Sequence, residues 1–266
     1  MPELPEVETI VRGLRGPCVG QSIERVTINW KGHIAAPGPS QFSKQIKGQR
    51  IQSIGRRGKY LVFQLNDATM LIHLKMSGDL TVVPSSDSPD KHAHTVFHFS
   101  NGHELRFSDT RKFGKVFLVK DINQVTGKLG PEPLDDDFTA KKLGELLHSR
   151  HRAIKALLLD QTVIVGVGNI YSDESLHRAK IHPLRHSDSL SEAEVRALWK
   201  SLRITLSAAI LNGGSSIDWV YRGGQHQNHF RVYGRTGKPC PVCKTPIQRI
   251  LVAQRSTHFC PNCQKL

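Results

Sequence analysis

The 266-residue chain has no long apolar run, and this absence excludes a membrane-spanning helix. Such a helix needs about 18 or more consecutive apolar residues, and no segment approaches that length. The start of the chain also lacks the basic-then-apolar pattern of a secretory signal peptide. We therefore expect a cytoplasmic protein whose cysteines stay reduced.

Acidic residues are few relative to basic ones: 23 Asp and Glu face 37 Lys and Arg, for a formal charge of +14. Half of this excess lies in residues 213–266, where eight Lys or Arg accompany one acid, Asp218. A basic segment of this kind favours a polyanionic partner, most economically a nucleic acid. The alternative is a solubilising surface without a specific partner.

Cysteine is also scarce, with five residues, and disulfides are not expected in a reducing compartment. Four thiolates satisfy tetrahedral Zn²⁺ and leave no coordination position open, so two close cysteine pairs predict one structural zinc ion. The four predicted ligands are Cys240, Cys243, Cys260 and Cys263.

The residues between the two cysteine pairs predict a β-hairpin, with Gln254, Arg255 and Ser256 at its turn, from which they could reach DNA. His258 is an alternative zinc ligand, but four cysteines make it unnecessary. Cys18, the fifth cysteine, is interpreted as an ordinary buried small residue.

The chain begins Met1-Pro2-Glu3-Leu4-Pro5-Glu6-Val7-Glu8. Removal of Met1 would leave Pro2 as a secondary amine beside the Glu3 carboxylate. An α-amine has a pKa of about 7.7–8.0, so a useful fraction is neutral, and its attack on a sugar carbon gives an iminium ion. The alternative is structural: Pro5 stands at the first turn of a helix with an apolar inner face.

After this helix, short strand-like runs predict an antiparallel sandwich or barrel, with Asn101-Gly102 as a hairpin turn. A Pro- and acid-rich stretch near residues 130–137 indicates a domain boundary. The predicted strands are 59–65, 70–74, 80–83, 95–99, 104–107 and 115–119. The predicted helices beyond the boundary are 138–148, 153–159, 170–179 and a long one that starts at the Ser191–Glu194 capping box and ends at Leu211.

Three further motifs are weaker alone. Gly166-Val167-Gly168-Asn169 precedes a helix, as in phosphate-binding loops, but it also suits an ordinary tight turn. Asp109-Thr110-Arg111-Lys112-Phe113-Gly114 suits a loop that probes a base stack, or a plain hairpin loop. Lys59 could touch phosphate or tune a nearby acid, although most lysines are only solvated.

These pieces occur together and in order in one family: the chain resembles the formamidopyrimidine-DNA glycosylases along its whole length. The resemblance rests on the Pro-Glu start, Arg56-Arg57-Gly58-Lys59-Tyr60-Leu61, His73-Leu74-Lys75-Met76-Ser77-Gly78, the Asp109–Gly114 motif, Gly168-Asn169-Ile170-Tyr171 and the four cysteines. It implies an α+β protein, with an N-terminal helix and antiparallel β-sandwich followed by a helical domain that carries a helix–two-turn–helix motif and a β-hairpin zinc finger.

The resemblance implies four domain ranges: a catalytic sandwich over 1–130, a linker over 131–137, a helix–two-turn–helix domain with a lesion loop over 138–230, and the zinc finger over 231–266. It implies removal of oxidised purines from double-stranded DNA, followed by strand cleavage through β- and δ-elimination. It also implies a cytoplasmic bacterial location on the nucleoid and a monomer.

The family pattern assigns roles to individual residues of this chain. Pro2 is the expected nucleophile, Glu3 the general acid, Glu6 a lesion-positioning group, and Lys59 a phosphate contact that assists the chemistry. The residues expected to fill the gap left by the flipped nucleotide are Met76, Arg111 and Phe113. The further phosphate contacts are His73, Asn169 and Arg255.

The loop over 213–230 departs from the pattern because it is shorter than the segment that often covers the flipped purine. Lesion preference is therefore open at this stage, and the sister enzyme for oxidised pyrimidines is an alternative. Leu4 and the Arg-Lys-Phe loop favour the purine enzyme. A non-catalytic zinc-ribbon binder of damaged nucleic acid is a second alternative, but it would not need Pro2, Glu3, Glu6 and Lys59 together.

Overall fold

A computed structural model describes residues 1–88, 90–216 and 223–266, and the chain forms two compact units. The first contains residues 1–128 with Ser216 and Gly223, and the second contains residues 129–215 and 224–266. The predicted lesion loop falls partly on residues 217–222, which lie outside the described residues. The predicted domain ranges stay a prediction.

The first unit begins with helix α1 (Leu4–Cys18), and Pro5 lies in its first turn as the structural interpretation expects. The inner face of α1 is buried at Val7, Ile10, Val11 and Leu14. The unit also has helices α2 (Pro39–Ile46) and α3 (Asn123–Thr126). Its strands are β1 (Ile23–Ile28), β2 (Ile34–Ala36), β3 (Ile51–Arg57), β4 (Tyr60–Leu65), β5 (Thr69–His73), β6 (Gly78–Pro84), β7 (Ala93–Phe99), β8 (His103–Asp109) and β9 (Lys115–Val119).

Two sheets share one core in this unit. The five-stranded sheet has the order β2-β9-β5-β4-β3, and the four-stranded sheet has the order β1-β7-β8-β6. Phe63 and Ile72 of the first sheet and Phe97 and Phe107 of the second are buried in the same apolar cluster, together with α1. The predicted sandwich is confirmed, but not every pair is antiparallel, because β2 and β9 run parallel.

The six predicted strands correspond to β4–β9, and Asn101-Gly102 lies in the turn between β7 and β8, with Gly102 at a positive φ of 79°. The sequence reading did not identify β1, β2, β3 or α2. β2 has only three residues, and β1 and β3 are mostly half-buried or exposed, so these strands carry little alternation of apolar and polar residues.

The second unit contains the four predicted helices: α4 (Ala140–His148), α5 (Ile154–Leu159), α6 (Asn169–Ala179) and α7 (Glu192–Leu211). The capping box of α7 is present, since the Ser191 N–H donates to Glu194 Oε2 at 2.8 Å and the Glu194 N–H donates back to Ser191 Oγ at 3.3 Å. Among the described residues, no helix is both long and apolar enough to cross a membrane.

The predicted hairpin is formed by β10 (Gln248–Val252) and β11 (Arg255–Phe259), and β11 packs against α6. Its turn is shifted from the prediction. Val252 pairs with Arg255, so the two turn residues are Ala253 and Gln254, both with positive φ. Arg255 is the first residue of β11 and remains exposed, whereas Ser256 lies within the strand.

Candidate functional site

The N-terminal turn of α1 brings together the predicted nucleophile and two carboxylates. Pro2, Glu3 and Glu6 are all buried. The Glu3 N–H donates to Glu6 Oε2 at 2.9 Å, so Glu6 holds the start of the helix in place. With Met1 attached, the Pro2 nitrogen is an amide whose lone pair is delocalised. Removal of Met1 turns it into a nucleophilic amine at the same position.

Lys59 lies in the tight turn between β3 and β4, in which Gly58 has a positive φ of 57°. The turn is tied to α1, because Arg56 donates to Glu8 Oε2 at 3.4 Å and to the Gly58 carbonyl at 3.2 Å. Glu8 is in the second turn of α1, so this contact brings the Lys59 turn to the N-terminal half of that helix. The Lys59 side chain is buried rather than freely solvated.

The strand register places three segments that carry predicted site residues at one end of the five-stranded sheet. His73, the last residue of β5, pairs with Tyr60 at the start of β4 and with Lys115 at the start of β9. The loop after β5 carries Met76, and the loop before β9 carries Arg111 and Phe113. Lys59 immediately precedes β4, so these side chains and Lys59 share one end of the sheet.

His73 is held as a neutral imidazole. Burial, followed by the charges of Lys75 and Lys59, lowers the pKa of His73 to about 3. The Lys75 N–H donates to His73 Nδ1 at 3.0 Å, and the ring makes an edge contact with Tyr60 at 4.7 Å between centroids. Because Nδ1 accepts, the proton stays on Nε2, which suits donation to a phosphate oxygen.

Met76 and Phe113 are large apolar side chains with 37% and 50% of their surface exposed. The Arg111 guanidinium lies over the Phe113 ring, 5.2 Å from its centroid. Exposed apolar side chains at a loop tip have no role in the core, and a cation stacked on an aromatic ring matches the flat face of a nucleobase. This chemistry suits insertion between bases.

In the second unit, the helix–two-turn–helix segment is pinned to the hairpin by Asn169. Asn169 Nδ2 donates to the Ser256 carbonyl at 2.9 Å, next to Arg255. The loop before α6 is held by Gln161, which donates to the Val167 carbonyl and accepts from the Gly166 N–H, each at 2.9 Å. The structure thus connects the two predicted phosphate contacts of this unit.

The four cysteines converge, as the zinc prediction requires. The Sγ atom of Cys243 lies 3.4 Å from that of Cys260 and 3.4 Å from that of Cys263. The Sγ atoms of Cys240 and Cys263 are 3.9 Å apart. Tetrahedral Zn–S bonds of about 2.3 Å separate sulfur atoms by about 3.8 Å, so the set fits one structural zinc ion. His258 is not a ligand, since its Nδ1 lies 3.2 Å from Asp173 Oδ2.

Cys18 behaves as predicted: it is buried in the core of the first unit, and burial raises the pKa of its thiol to about 12. A thiol with so high a pKa is inert at neutral pH.

The sequence did not predict a structural role for the polar residues inside α6. Asp173 accepts from Lys155 Nζ at 2.6 Å and from the His258 N–H at 2.9 Å, and both charged side chains are fully buried. Glu174 accepts the backbone N–H groups of 231–233 at 2.9–3.1 Å. The only local signal is a pair of acids in the middle of a buried helix, and their partners are distant in sequence.

His177 is a further missed residue, because its Nε2 lies 3.4 Å from Cys240 Sγ while Arg231 donates to its Nδ1 at 3.3 Å. The accepting Nδ1 leaves the proton on Nε2, which points to an N–H···S hydrogen bond that supports the metal ligand from outside the coordination sphere.

Comparison with protein-family models gives matches over most of the chain. Residues 1–116 match the formamidopyrimidine-DNA glycosylase N-terminal domain, residues 129–220 match the H2TH domain of these enzymes, and residues 237–266 match the zinc finger found in FPG and IleRS.

Relatives that match along their whole length are named formamidopyrimidine-DNA glycosylases. The formamidopyrimidine-DNA glycosylase of Herpetosiphon aurantiacus is 44% identical over 272 residues, covering 99% of this chain and 100% of the relative. That of Halalkalibacterium halodurans is 45% identical over 274 residues and covers both chains completely.

Solved structures agree with this relationship. A MutM complex with DNA containing carbocyclic 8-oxo-G has a TM-score of 0.93 and 41% identity, with full coverage of both chains. Lactococcus lactis Fpg in complex with abasic-site DNA has a TM-score of 0.93 and 39% identity, over 99% of this chain and 100% of that one. The chain therefore belongs to the formamidopyrimidine-DNA glycosylase family.

Proposed function

We propose that this chain is a base excision repair enzyme that removes oxidised purines from double-stranded DNA and then cleaves the abasic strand. Its preferred lesions are 8-oxoguanine and formamidopyrimidines. The observation that carries this proposal is the N-terminal turn of α1, where Glu3 and Glu6 are buried beside Pro2 in a chain that belongs to this family throughout.

The first chemical step joins the protein to the damaged nucleotide. The Pro2 nitrogen forms a bond to C1′, the bond from C1′ to the base breaks, and the base leaves with the electron pair and takes up a proton. The attached amine then loses its proton. Glu3 donates a proton to the sugar ring oxygen, and the nitrogen lone pair forms the second bond to C1′ as the bond from C1′ to that oxygen breaks, which gives the iminium ion. Glu6 positions the lesion and, through the Glu3 N–H, the general acid.

The iminium ion withdraws electrons from the sugar and allows strand cleavage. Loss of a proton from C2′ expels the 3′ phosphate, and a second elimination expels the 5′ phosphate. One covalent intermediate thus links base removal to both cleavage steps.

Before chemistry, the target nucleotide leaves the base stack at a cost of a few kcal/mol, which is least for a damaged pair. Met76, Arg111 and Phe113 fill the gap and offset this cost. Lys59, His73, Asn169 and Arg255 hold the backbone at phosphates, and the zinc ion maintains the hairpin that carries Arg255. We further infer a monomer that works in the cytoplasm, associated with the nucleoid.

Borohydride trapping on a duplex with 8-oxoguanine opposite cytosine tests this function. The mature, zinc-loaded protein should form a covalent adduct, Pro2→Gly should form none while keeping its DNA affinity, and Pro39→Ala, a change at the first turn of α2, should trap like the parent protein. If the parent protein forms no adduct, the proposal is wrong for this lesion. An adduct on an oxidised pyrimidine instead would favour the sister activity.

A further inference from the structure

A buried carboxylate outside the predicted machinery organises the loop that carries Arg111 and Phe113. Asp109, at the end of β8, is only 1% exposed. Its Oδ2 accepts the Gly114 N–H at 2.7 Å, and its Oδ1 accepts the Arg111 N–H at 3.2 Å. One side chain therefore binds the backbone near both ends of the loop over 110–114.

The same carboxylate reaches the second loop through Ser77. The Ser77 hydroxyl donates to Asp109 Oδ1, and its oxygen accepts the Arg111 N–H at 3.1 Å. Ser77 directly follows Met76. Asp109 and Ser77 thus connect, within one hydrogen-bond network, the two loops whose tips carry Met76, Arg111 and Phe113.

The network is built for an ionised carboxylate. Burial alone would raise the pKa of Asp109, but the hydrogen bonds from Ser77, Gly114 and Arg111 outweigh it and lower that pKa below its usual value. His33 Nε2 lies 3.6 Å from Oδ2 and adds a polar group on the inner side. An ionised carboxylate only accepts hydrogen bonds, as these three donors require.

Packing against a buried aromatic ring also restricts the two loops. A Cβ on Gly114 would lie 2.3 Å from Phe107 Cζ, and a Cβ on Gly78 would lie 2.7 Å from Phe107 Cε2. Gly114, at the end of one loop, and Gly78, directly after the other, are therefore both packed against the same buried ring. Lys112, between Arg111 and Phe113, has a positive φ of 60°, a conformation that needs support from its surroundings.

We propose that Asp109 and Ser77 are positioning residues that hold Met76, Arg111 and Phe113 as one pre-ordered wedge. This inference rests on the proposed function, in which these three side chains enter the base stack. Neither Asp109 nor Ser77 needs to touch DNA. Their effect is to remove the entropy cost of ordering two loops at the moment of insertion.

Asp109→Asn and Ser77→Ala test the inference on two substrates. An abasic nucleotide has no base to unstack, so its cleavage depends less on the wedge than excision of 8-oxoguanine does. We expect single-turnover excision of 8-oxoguanine to fall at least tenfold in Asp109→Asn and about threefold in Ser77→Ala, and borohydride trapping on a preformed abasic site to stay within about twofold.

Asp90→Asn is the matched control, since Asp90 also accepts from a serine hydroxyl, that of Ser108, but makes no bond to the loop over 110–114. It should excise 8-oxoguanine at the parental rate. If Asp109→Asn and Ser77→Ala lower abasic cleavage as much as excision, or lower neither, the positioning role is wrong. Ser77→Ala removes one hydroxyl and keeps the buried charge, so it decides the case if Asp109→Asn does not fold.

A fluorescent cytosine analogue opposite 8-oxoguanine reports wedge insertion directly. The parent protein should raise its fluorescence as the opposite base loses its stacking partner, and Asp109→Asn should raise it more slowly. Arg111→Ala combined with Asp109→Asn should be slowed by less than the product of the two separate effects, because both changes act on the same wedge. Equal traces for Arg111→Ala and the parent would show that the wedge assignment itself is wrong, whereas a defect in Arg111→Ala without one in Asp109→Asn would overturn only the inference.

Discussion

The ring of Phe107 leaves no space for a methyl group at Gly114. Because the limitation is space and not a positive φ, we expect Gly114→Ala to overpack this site and lower the free energy of unfolding by about 1–3 kcal/mol. Urea denaturation measures this difference. Gly55→Ala is the control, since a Cβ at Gly55 meets nothing within 4 Å, and equal losses in both variants would contradict the packing explanation.

Two buried histidines make the stability of the first unit dependent on pH. Burial lowers the pKa of His33 to about 4 and that of His73 to about 3. In the unfolded chain both histidines gain a proton near pH 6.5, whereas in the folded chain they stay neutral to a lower pH. The free energy of unfolding therefore decreases as the pH falls from about 6.5 toward 4. These two histidines should contribute up to about 2.7 kcal/mol per pH unit, one proton each. Burial also lowers the pKa values of His94 and His98, which add to the loss.

His33→Gln should reduce this slope by about 1.4 kcal/mol per pH unit, because the proton of this histidine no longer contributes. Denaturation midpoints between pH 4.5 and 7 measure the slope. His103→Gln, at an exposed position, should leave the slope unchanged. An unaltered slope in His33→Gln would mean that other groups control the acid sensitivity.

Among the elements, a buried ion pair joins α5 to α6, and its carboxylate also accepts the His258 N–H of β11. Lys155 and Asp173 are both fully buried and 2.6 Å apart. We expect Lys155→Met to cost about 3–5 kcal/mol, since it leaves Asp173 buried with less compensation for its charge. Lys142→Met, which breaks the exposed pair with Asp137, should cost less than about 1 kcal/mol. Thermal denaturation of both variants makes the comparison.

The zinc hairpin depends on its metal. The apolar cluster around its cysteines contains Val232 and Ile247, and the strands add Val252 and Phe259, so the apolar core of this segment is small. Chelation should therefore unfold the hairpin and lower DNA affinity, and zinc should restore both. Cys18→Ala should retain about one zinc per chain. A chelated protein that binds DNA at the parental affinity would contradict this dependence.

On the scale of the whole molecule, the charge of +14 should dominate DNA affinity. Each phosphate contact changes the slope of log K against log salt by about 0.9. Arg255→Ala should thus reduce the slope by about 1, as measured by fluorescence anisotropy. Arg196→Ala, at a residue paired with Glu192 on α7, should leave it unchanged. A slope near zero for the parent protein would exclude direct phosphate binding.

Local signals predicted a large part of this architecture. A capping box and apolar periodicity identified α7, and cysteine spacing identified the metal site, because both depend on residues close in sequence. The Lys155–Asp173 pair and the parallel β2–β9 pair depend on packing between distant segments, which leaves no local pattern. The hairpin turn was misplaced because Ala253 and Gln254 are not typical of a turn with positive φ.

The shared sheet end has a mechanical consequence. Lys59 and the loops with Met76 and Phe113 adjoin the paired ends of β4, β5 and β9, and the Arg56–Glu8 contact ties α1 to the same hairpin. The hydrogen bonds between these strands therefore fix the distances between the side chains. Because these side chains keep fixed positions, the DNA duplex has to deform to fit them. We therefore expect the protein to engage a lesion in a stiff sequence context more slowly than the same lesion beside a flexible base step.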